Sequence, residues 1–318
     1  MIVLDFEKSI FELEAKIKEL KSLDSDDIKL TDEIKRLEQK HDKILAEVFS
    51  NLTPWQKLQI ARHQSRPQTQ DYIDGMITNF VPLAGDRLFR EDKAIIAGFG
   101  MFEGRGVAII GHQKGREPEE KVEHNFGMPN PEGYRKSERI MEMASRFHMP
   151  IITLIDTVGA FPGIDAEERG QAEAIASCLE KSFNLNVPVI SVVIGEGGSG
   201  GAVAIGVANY LMMLEYSVYS VISPEGCASI LWKDVAFVQD AANALKITAN
   251  DLLSLGVIDK IIKEPVGGAH KNPQKTVLLV KDAVKSALKQ MDKVKDYVKH
   301  REERFLKIGR DEKNDKKK

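Results

Sequence analysis

The apolar positions of the first fifty residues step by four and three: Phe6, Ile10, Leu13, Ile17 and Leu20, then, after a polar break at Ser22 to Asp27, Leu30, Ile34, Leu37, His41, Ile44 and Val48. Each series draws one narrow stripe along a helix, so the segment predicts two helices folded back as an antiparallel hairpin. Such a hairpin holds little core of its own and is expected to lie on another body, in this chain or in a partner. His41, the polar member of the seam, reads as a satisfied core-edge histidine. From Pro54 to Arg90 the pattern shortens to amphipathic segments broken at Pro67 and Gly85, anchored by Trp55, Leu58 and Ile60, with no catalytic spacing.

At Ala94 the period changes from helical to extended. Ala94 to Gly98 and Val107 to Gly111 flank a turn containing Gly104-Arg-Gly106, which predicts a β-hairpin feeding a sheet. Residues 117–130 lack a period and read as a loop. Pro131 suits the first position of a helix reaching about Phe147. Met149 to Ile155 is an apolar strand ending in a glycine-containing turn, Asp156 to Gly163. Asp165, with Glu168 three residues on, predicts a capping box for one long helix ending near Phe183. Val187 to Ile194 is a second apolar strand, followed by a glycine turn and a helix toward Tyr210.

The order strand, glycine turn, helix thus occurs twice in tandem, each strand nearly continuously apolar with a proline at its start. That pattern predicts parallel strands covered on both faces, with both turns at the carboxyl edge of the sheet, where ligands bind. Further short strands are expected at Leu211 to Leu214, Val218 to Ile222 and Val257 to Ile262. Helices are expected from Pro224, capped by Ser223, through 234–245 and 249–255, and over Pro273 to Tyr297. The fold class is α/β.

Composition adds limits more than direction. The 318 residues, 42% apolar and 29% charged, can bury a full core. No run of eighteen apolar residues occurs and the N-terminus carries Asp5 and Glu7, so neither a membrane span nor a signal peptide is expected. Two cysteines, Cys178 and Cys227, cannot build a four-thiolate zinc site and read as buried free thiols in a reducing, cytoplasmic setting. The net charge of −3 hides eleven Lys/Arg against six Asp/Glu in residues 293–318. That basic tail reads as a solvated, frayed terminus instead of a nucleic-acid-binding element. Three parts are therefore expected: residues 1–50, 51–292 and 293–318.

The chemistry concentrates in Gly195-Glu-Gly-Gly-Ser-Gly-Gly201. Three readings are open. Gly195-x-Gly197-x-x-Gly200, with Glu215 about twenty residues on, fits a dinucleotide fingerprint. Gly197-x-Ser199-x-Gly201 fits a hydrolase nucleophile elbow, with Asp259 and His270 downstream in the right order. The third uses no side chain: the amides of Gly200 and Gly201, at the first turn of a helix, form an oxyanion hole. Gly197, Gly198, Gly159 and Ala160, in the two turns, are candidate substrate-binding positions. Lys114 and Arg116, at the end of the hairpin, are candidates for phosphate contact.

Several long motifs in one order carry a resemblance: Gly111-His-Gln-Lys-Gly-Arg116, Asn125-Phe-Gly-Met-Pro129, Pro131-Glu-Gly-Tyr-Arg-Lys136, Ile155-Asp-Thr-Val-Gly-Ala-Phe-Pro-Gly163, Ala166-Glu-Glu-Arg-Gly-Gln171, the glycine turn, Ser223 to Lys233 and Pro265 to His270. From Asp5 to about residue 290 the chain resembles the carboxyltransferase alpha subunits of bacterial acetyl-coenzyme A carboxylases. The resemblance implies a ClpP/crotonase-type spiral core (51–292) with an N-terminal helical hairpin and C-terminal helices. It implies an alpha2-beta2 assembly that transfers a carboxyl group from carboxybiotin, borne by a biotin carboxyl carrier protein and charged by biotin carboxylase, to acetyl-CoA, giving malonyl-CoA for fatty acid biosynthesis. It also places the alpha half of the oxyanion machinery at Gly200 and Gly201, facing the biotin ureido oxygen or, alternatively, the thioester, with a zinc ribbon on the beta partner and no metal on this chain. Val158 stands where related chains commonly carry proline.

Overall fold

A computed structural model of the chain describes residues 3–22 and 28–310. The polar break expected at Ser22 to Asp27 falls, past Ser22, outside the described residues, as does the terminal Lys-Lys-Lys run. Helices α1 (Lys8–Ser22) and α2 (Ile28–Ser50) carry the two apolar seams. Lys21 pairs with Glu38 at 2.6 Å and His41 Nε2 with Glu14 Oε1 at 3.3 Å, so the partners advance in opposite chain directions and the hairpin is antiparallel, as its period predicts. It lies on its own chain: Ile10, Phe49 and Leu52 pack with Ile60 and Tyr216 of the body. Glu7 Oε1 meets His270 Nε2 at 3.1 Å, and Lys271 meets Glu14 at 3.2 Å.

The Glu7–His270 tie sets an acid limit on the hairpin. Burial alone would raise the Glu7 carboxyl, but the hydrogen bond and charge of His270 outweigh it, and its pKa falls below the ordinary 4.5. A carboxylate lowered in the folded state contributes stability that is fully present above its unfolded pKa and is lost as pH falls through the folded value. Glu7→Gln is therefore expected to melt earlier than the parent at pH 7 and to show a flatter decline of Tm on acidification from pH 5 to pH 3, roughly the window in which a lowered carboxyl titrates. Identical pH slopes for the two proteins would refute the tie.

The body begins with α3 (Pro54–Ala61), capped by a reciprocal Thr53–Gln56 box, and α4 (Thr69–Met76). Strand β1 (Thr78–Pro82) leads to the expected hairpin of β2 (Ile95–Phe102) and β3 (Arg105–His112), turned at Glu103 and Gly104 with φ of 50° and 79°. Two positive φ values in a two-residue loop match the right-handed twist of the strands. Residues 117–130 are not all loop: α5 (Pro118–Glu123) forms there, because Pro118 occupies its first turn and Glu120 Oε2 accepts from the N–H groups of Arg116 and Glu117 at 2.9 and 3.4 Å. Helix α6 (Pro131–Arg146) and strand β4 (Ile151–Thr157) come next, as expected.

The single long helix read after Asp165 is two, α7 (Ile164–Glu168) and α8 (Gln171–Phe183). Gly170 at φ 82° breaks them, Gly163 holds the cap position, and Asp165 pairs with Arg169 instead of capping. Strand β5 (Val189–Gly198) runs through the first glycines, so α9 (Ser199–Ala204) is only six residues and stops short of Tyr210. Then come β6 (Tyr210–Leu214), β7 (Val218–Ser220), α10 (Pro224–Leu231), α11 (Val238–Ala244), α12 (Ala249–Ser254), β8 (Lys260–Ile262), α13 (Pro273–Met291) and α14 (Tyr297–Lys307). Ser223 Oγ caps α10 through Gly226 N–H at 3.1 Å.

Among the described residues the strands form one sheet in the order β1-β2-β3-β4-β5-β6-β8, with β7 on β5; β1 to β3 are antiparallel and the rest parallel. Successive strand residues feed opposite cores. Ile151, Ile155, Val189 and Val193 meet residues of α6, α8 and α9 on one face, while Ile152, Leu154, Ile190 and Val192 meet those of α4 and α13 on the other. Both faces are covered, which is why the strand pattern is continuously apolar.

The expectation of a frayed tail from residue 293 does not hold for its described part, residues 293–310. Helix α14 forms, and Arg301 is fully buried in it, donating to the carbonyls of Phe183, Leu185 and Val187 and to Asn209 Oδ1. The basic residue that composition assigns to solvent closes the end of α8 and the start of β5.

Candidate active site

The two glycine turns meet at the carboxyl edge of the sheet. A side chain at Gly198 would collide with Val158 O, and one at Gly201 would come within 2.5 Å of the Gly159 carbonyl carbon and 2.6 Å of Ala160 N. These glycines are required by backbone packed on backbone. Gly195 and Gly197 are likewise spent inside the fold, against the Asp156 carboxylate and the Tyr219 ring. Gly200 differs: the nearest atom to a side chain there is Ile175 Cδ1 at 3.7 Å. Of the five glycines, it is the one that lines the adjoining cleft of about 550 Å³, together with Val158, Gly159, Ala160, Ser199, Val221, Ile222 and Ser223.

Ser199 sits at the strand-to-helix corner with φ 51°, in the left-handed region that favours glycine. The first amides of a helix have no partner within it, so the N–H groups at this corner are candidates to meet a ligand. With six residues, α9 adds little macrodipole, and the fixed amides themselves carry the electrostatics.

Side chains outside the two turns hold them in place. Arg62, at the end of α3 and in the cleft wall, grips Glu196 with Nε at 2.8 Å and Nη2 at 2.7 Å and reaches Glu225 of α10 at 2.6 Å. Burial alone would lower its pKa, but the two carboxylates outweigh it and raise it, so Arg62 is charged throughout. Arg62 thereby ties the end of β5 to the start of α10. His112, at the end of β3, is buried against the main chain of Gly201 and Leu154, and burial, reinforced by Lys114, pushes it down to about 3. It is a neutral packing group there, not a base.

The structure brings some of the expected site residues together and separates others. Gly159, Ala160 and Gly200 line the cleft; Gly201 lies buried directly behind, and Gly197 and Gly198 lie within β5. Lys114 Nζ is held by Asp156 Oδ1 at 2.5 Å and Arg116 by Asp71 at 2.6 Å, so each cation already has a carboxylate partner. The hydrolase constellation is not brought together: His270 bonds Glu7 and lies tilted against the His63 ring at 4.3 Å, while Asp259 accepts from Leu211 N–H and Arg304. For the dinucleotide reading, Gly195 and Gly197 lie inside a strand, not in a turn after it, and Glu215 is paired with Lys263 at 2.5 Å. Arg62 and Glu196 escaped the sequence reading, since 134 residues separate them. A charged residue set between glycines in an otherwise apolar strand was the available signal for Glu196. Among the described residues, no group of three or more His, Cys, Asp or Glu is placed to hold a metal ion, and no helix is long and apolar enough to cross a membrane.

The family model described as "Acetyl co-enzyme A carboxylase carboxyltransferase-like" matches residues 3–309. Over 313 residues the chain is 54% identical to the acetyl-coenzyme A carboxylase carboxyl transferase subunit alpha of Paramagnetospirillum magneticum, covering 98% of this chain and 99% of that one. With the protein of the same name from Zymomonas mobilis it shares 56% identity over 287 residues, 90% of each. Among solved structures, a Pseudomonas malonate decarboxylase hetero-tetramer in complex with coenzyme A aligns with a TM-score of 0.58 at 14% identity, over 70% of this chain and 88% of that one. The transcarboxylase 12S core, with hydrolysed methylmalonyl-coenzyme A, aligns at 0.57 and 18% identity over 73% of this chain and 43% of that one. At these identities the likeness is one of fold, the crotonase-type α/β core.

Proposed function

The chain belongs to the acetyl-coenzyme A carboxylase carboxyltransferase family, and from that premise we propose that its cleft at Gly200 and Gly201 is one half of a catalytic centre completed by a beta partner. As a carboxyltransferase component of acetyl-CoA carboxylase it takes part in moving a carboxyl group onto acetyl-CoA. The observation that carries the split-site reading is the cleft itself. Its floor is main chain from two abutting turns, and its ionisable walls include Arg62, already committed to two carboxylates.

Amides fixed in this way serve an oxygen that gains charge only as the reaction proceeds, each worth up to roughly 3–4 kcal/mol there. Carboxyl transfer to acetyl-CoA generates two such oxygens, one on the donor and one on the thioester as it loses its proton. One glycine turn serves one of them. The second set of donors is assigned to the beta partner in an alpha2-beta2 assembly, which also bears the zinc. Biotin on a carboxyl carrier protein, charged by biotin carboxylase, supplies the carboxyl group when bound. Gly200 and Gly201 face its ureido oxygen, Gly159 and Ala160 bound the substrate, and Lys114 and Arg116 are candidates for phosphate contact through the N–H donors their carboxylates leave free. Residues 1–50 serve as a clasp on the carboxyltransferase body, and the assembly works in the cytoplasm.

Malonyl-CoA formation from carboxybiotin and acetyl-CoA tests this directly. The chain with its beta partner is expected to turn over, and the chain alone to give no product; product from the chain alone would refute the shared centre. Ser199→Ala separates the reading from hydrolysis, because a hydroxyl that neither attacks nor relays a proton is dispensable. It is expected to change kcat less than about threefold, against the roughly 10⁴-fold or greater loss of a removed nucleophile. A fluorophosphonate is expected to leave Ser199 unlabelled.

A further inference from the structure

Strand β5 is interrupted at the residues leading into the catalytic turn. Ile155 pairs with Val193 and Thr157 with Gly197, so on β4 the single residue Asp156 faces Ile194, Gly195 and Glu196. On the other edge β5 pairs with β6 as far as Val193 and with β7 from Glu196 onward. Ile194 and Gly195 have no ladder partner on either edge. Such bulges bend a strand and re-aim the chain beyond the bend.

Main-chain groups freed inside a core must find other partners. Here they find side chains. Arg66 Nε donates to Ile194 O at 2.6 Å, and Glu196 N–H donates to Asp156 Oδ1 at 2.9 Å. Both side chains are themselves fixed, Arg66 by a two-pronged bond to Glu264 at 2.6 and 3.0 Å and Asp156 by Lys114 at 2.5 Å. Glu264 in turn accepts from Tyr216 N–H, in the link between β6 and β7, at 3.0 Å. The bulge is therefore filled, not slack. Arg66 and Asp156 are 2% and 4% exposed, and neither lines the cleft.

We propose that Asp156 and Arg66 are positioning residues for carboxyl transfer, holding the bulge at 194–196 so that the amides of Gly200 and Gly201 are aimed into the cleft. The inference rests on those amides being the oxyanion donors. Only a few residues separate the bulge from the donors, and a displacement of about 1 Å at a catalytic group costs on the order of 10²-fold in rate. Because the groups act on orientation and not on substrate affinity, their loss belongs in kcat.

Asp156→Ala, assembled with the beta partner, is expected to lower kcat about 30–100-fold while KM for acetyl-CoA stays within about threefold. Asp156→Asn keeps an oxygen for Glu196 N–H and is expected to recover about tenfold of that loss. Amide exchange at 196–201 is expected to quicken roughly tenfold in the alanine variant and to stay unchanged in the β2–β3 hairpin. A kcat within threefold of the parent, or equal losses in the alanine and asparagine variants, overturns the proposal. If Asp156→Ala does not assemble, Arg66→Lys decides: it keeps the charge opposite Glu264 but lacks the fork that also reaches Ile194 O, so an unchanged kcat refutes the role. Exchange needs no turnover. An inactive parent complex would therefore sink the functional reading while exchange at 196–201 still judged the bulge.

Discussion

Gly201→Ala is expected to lower kcat of the assembled carboxyltransferase by roughly 10²–10³-fold, whereas Gly200→Ala, one residue earlier, is expected to cost less than about tenfold, mostly in KM. The contrast stems from the surroundings of each position. A Cβ at Gly201 would stand 2.5 Å from the Gly159 carbonyl carbon and 2.6 Å from Ala160 N, both main-chain atoms. No rotamer change relieves a backbone clash, so the two turns must separate and the donors move with them. At Gly200 the nearest atom is the tip of Ile175 at 3.7 Å, an ordinary contact, and the added methyl enters the cleft without shifting a donor. Were the glycines present only to let a ligand approach, the ranking would reverse, because Gly200 is the one that lines the cleft. Steady-state kinetics of both variants, with thermal melting to confirm assembly, decides between the two accounts. Equal losses at both positions would also refute the packing argument.

Sequence alone carried the local elements well, because each writes its own period. The four-three seam of residues 6–48 specifies two helices, and the apolar runs at 149–155 and 187–194 specify buried parallel strands with their glycine turns at one edge. It carried less where the outcome depends on a distant residue. Gly170 breaks the helix read from the Asp165–Glu168 spacing, and a cap needs the preceding chain in the right place, which spacing cannot report. The glycine motif reads identically for a dinucleotide turn, a nucleophile elbow and an oxyanion hole; the three are separated by where His270, Asp259 and Glu215 end up, and each is tied to a partner away from the turn. The bulge at 194–196 is invisible for the same reason. Its fillers Arg66 and Asp156 lie 128 and 40 residues from the groups they hold.

The tail is where composition misled, and Arg301 is where the consequence is largest. Arg301→Met is expected to destabilise the folded chain by about 2–4 kcal/mol. Among the described residues no acid pairs with the guanidinium; its partners are the carbonyls of Phe183, Leu185 and Val187 and Asn209 Oδ1, at 3.1, 3.1, 3.0 and 2.7 Å. Burial alone lowers its pKa to about 10, which leaves it charged at neutral pH. Two effects oppose each other on substitution. Removing a desolvated cation relieves a cost, and methionine fills much of the volume, which by itself would leave stability nearly unchanged. The acceptors stay, however: Asn209 Oδ1 keeps Val189 N–H at 3.1 Å, but the three carbonyls lose this donor, and each buried acceptor without a donor costs about 1–3 kcal/mol. Phe183 is moreover the last residue of α8, whose carbonyl end favours a cation. The unpaired acceptors win, and at roughly 2 °C per kcal/mol for a chain of this size Tm should fall by about 4–8 °C. Arg301→Lys should recover only part of the loss, because one ammonium cannot span acceptors that a planar fork reaches together. A methionine variant as stable as the parent in denaturant unfolding would return the tail to solvent.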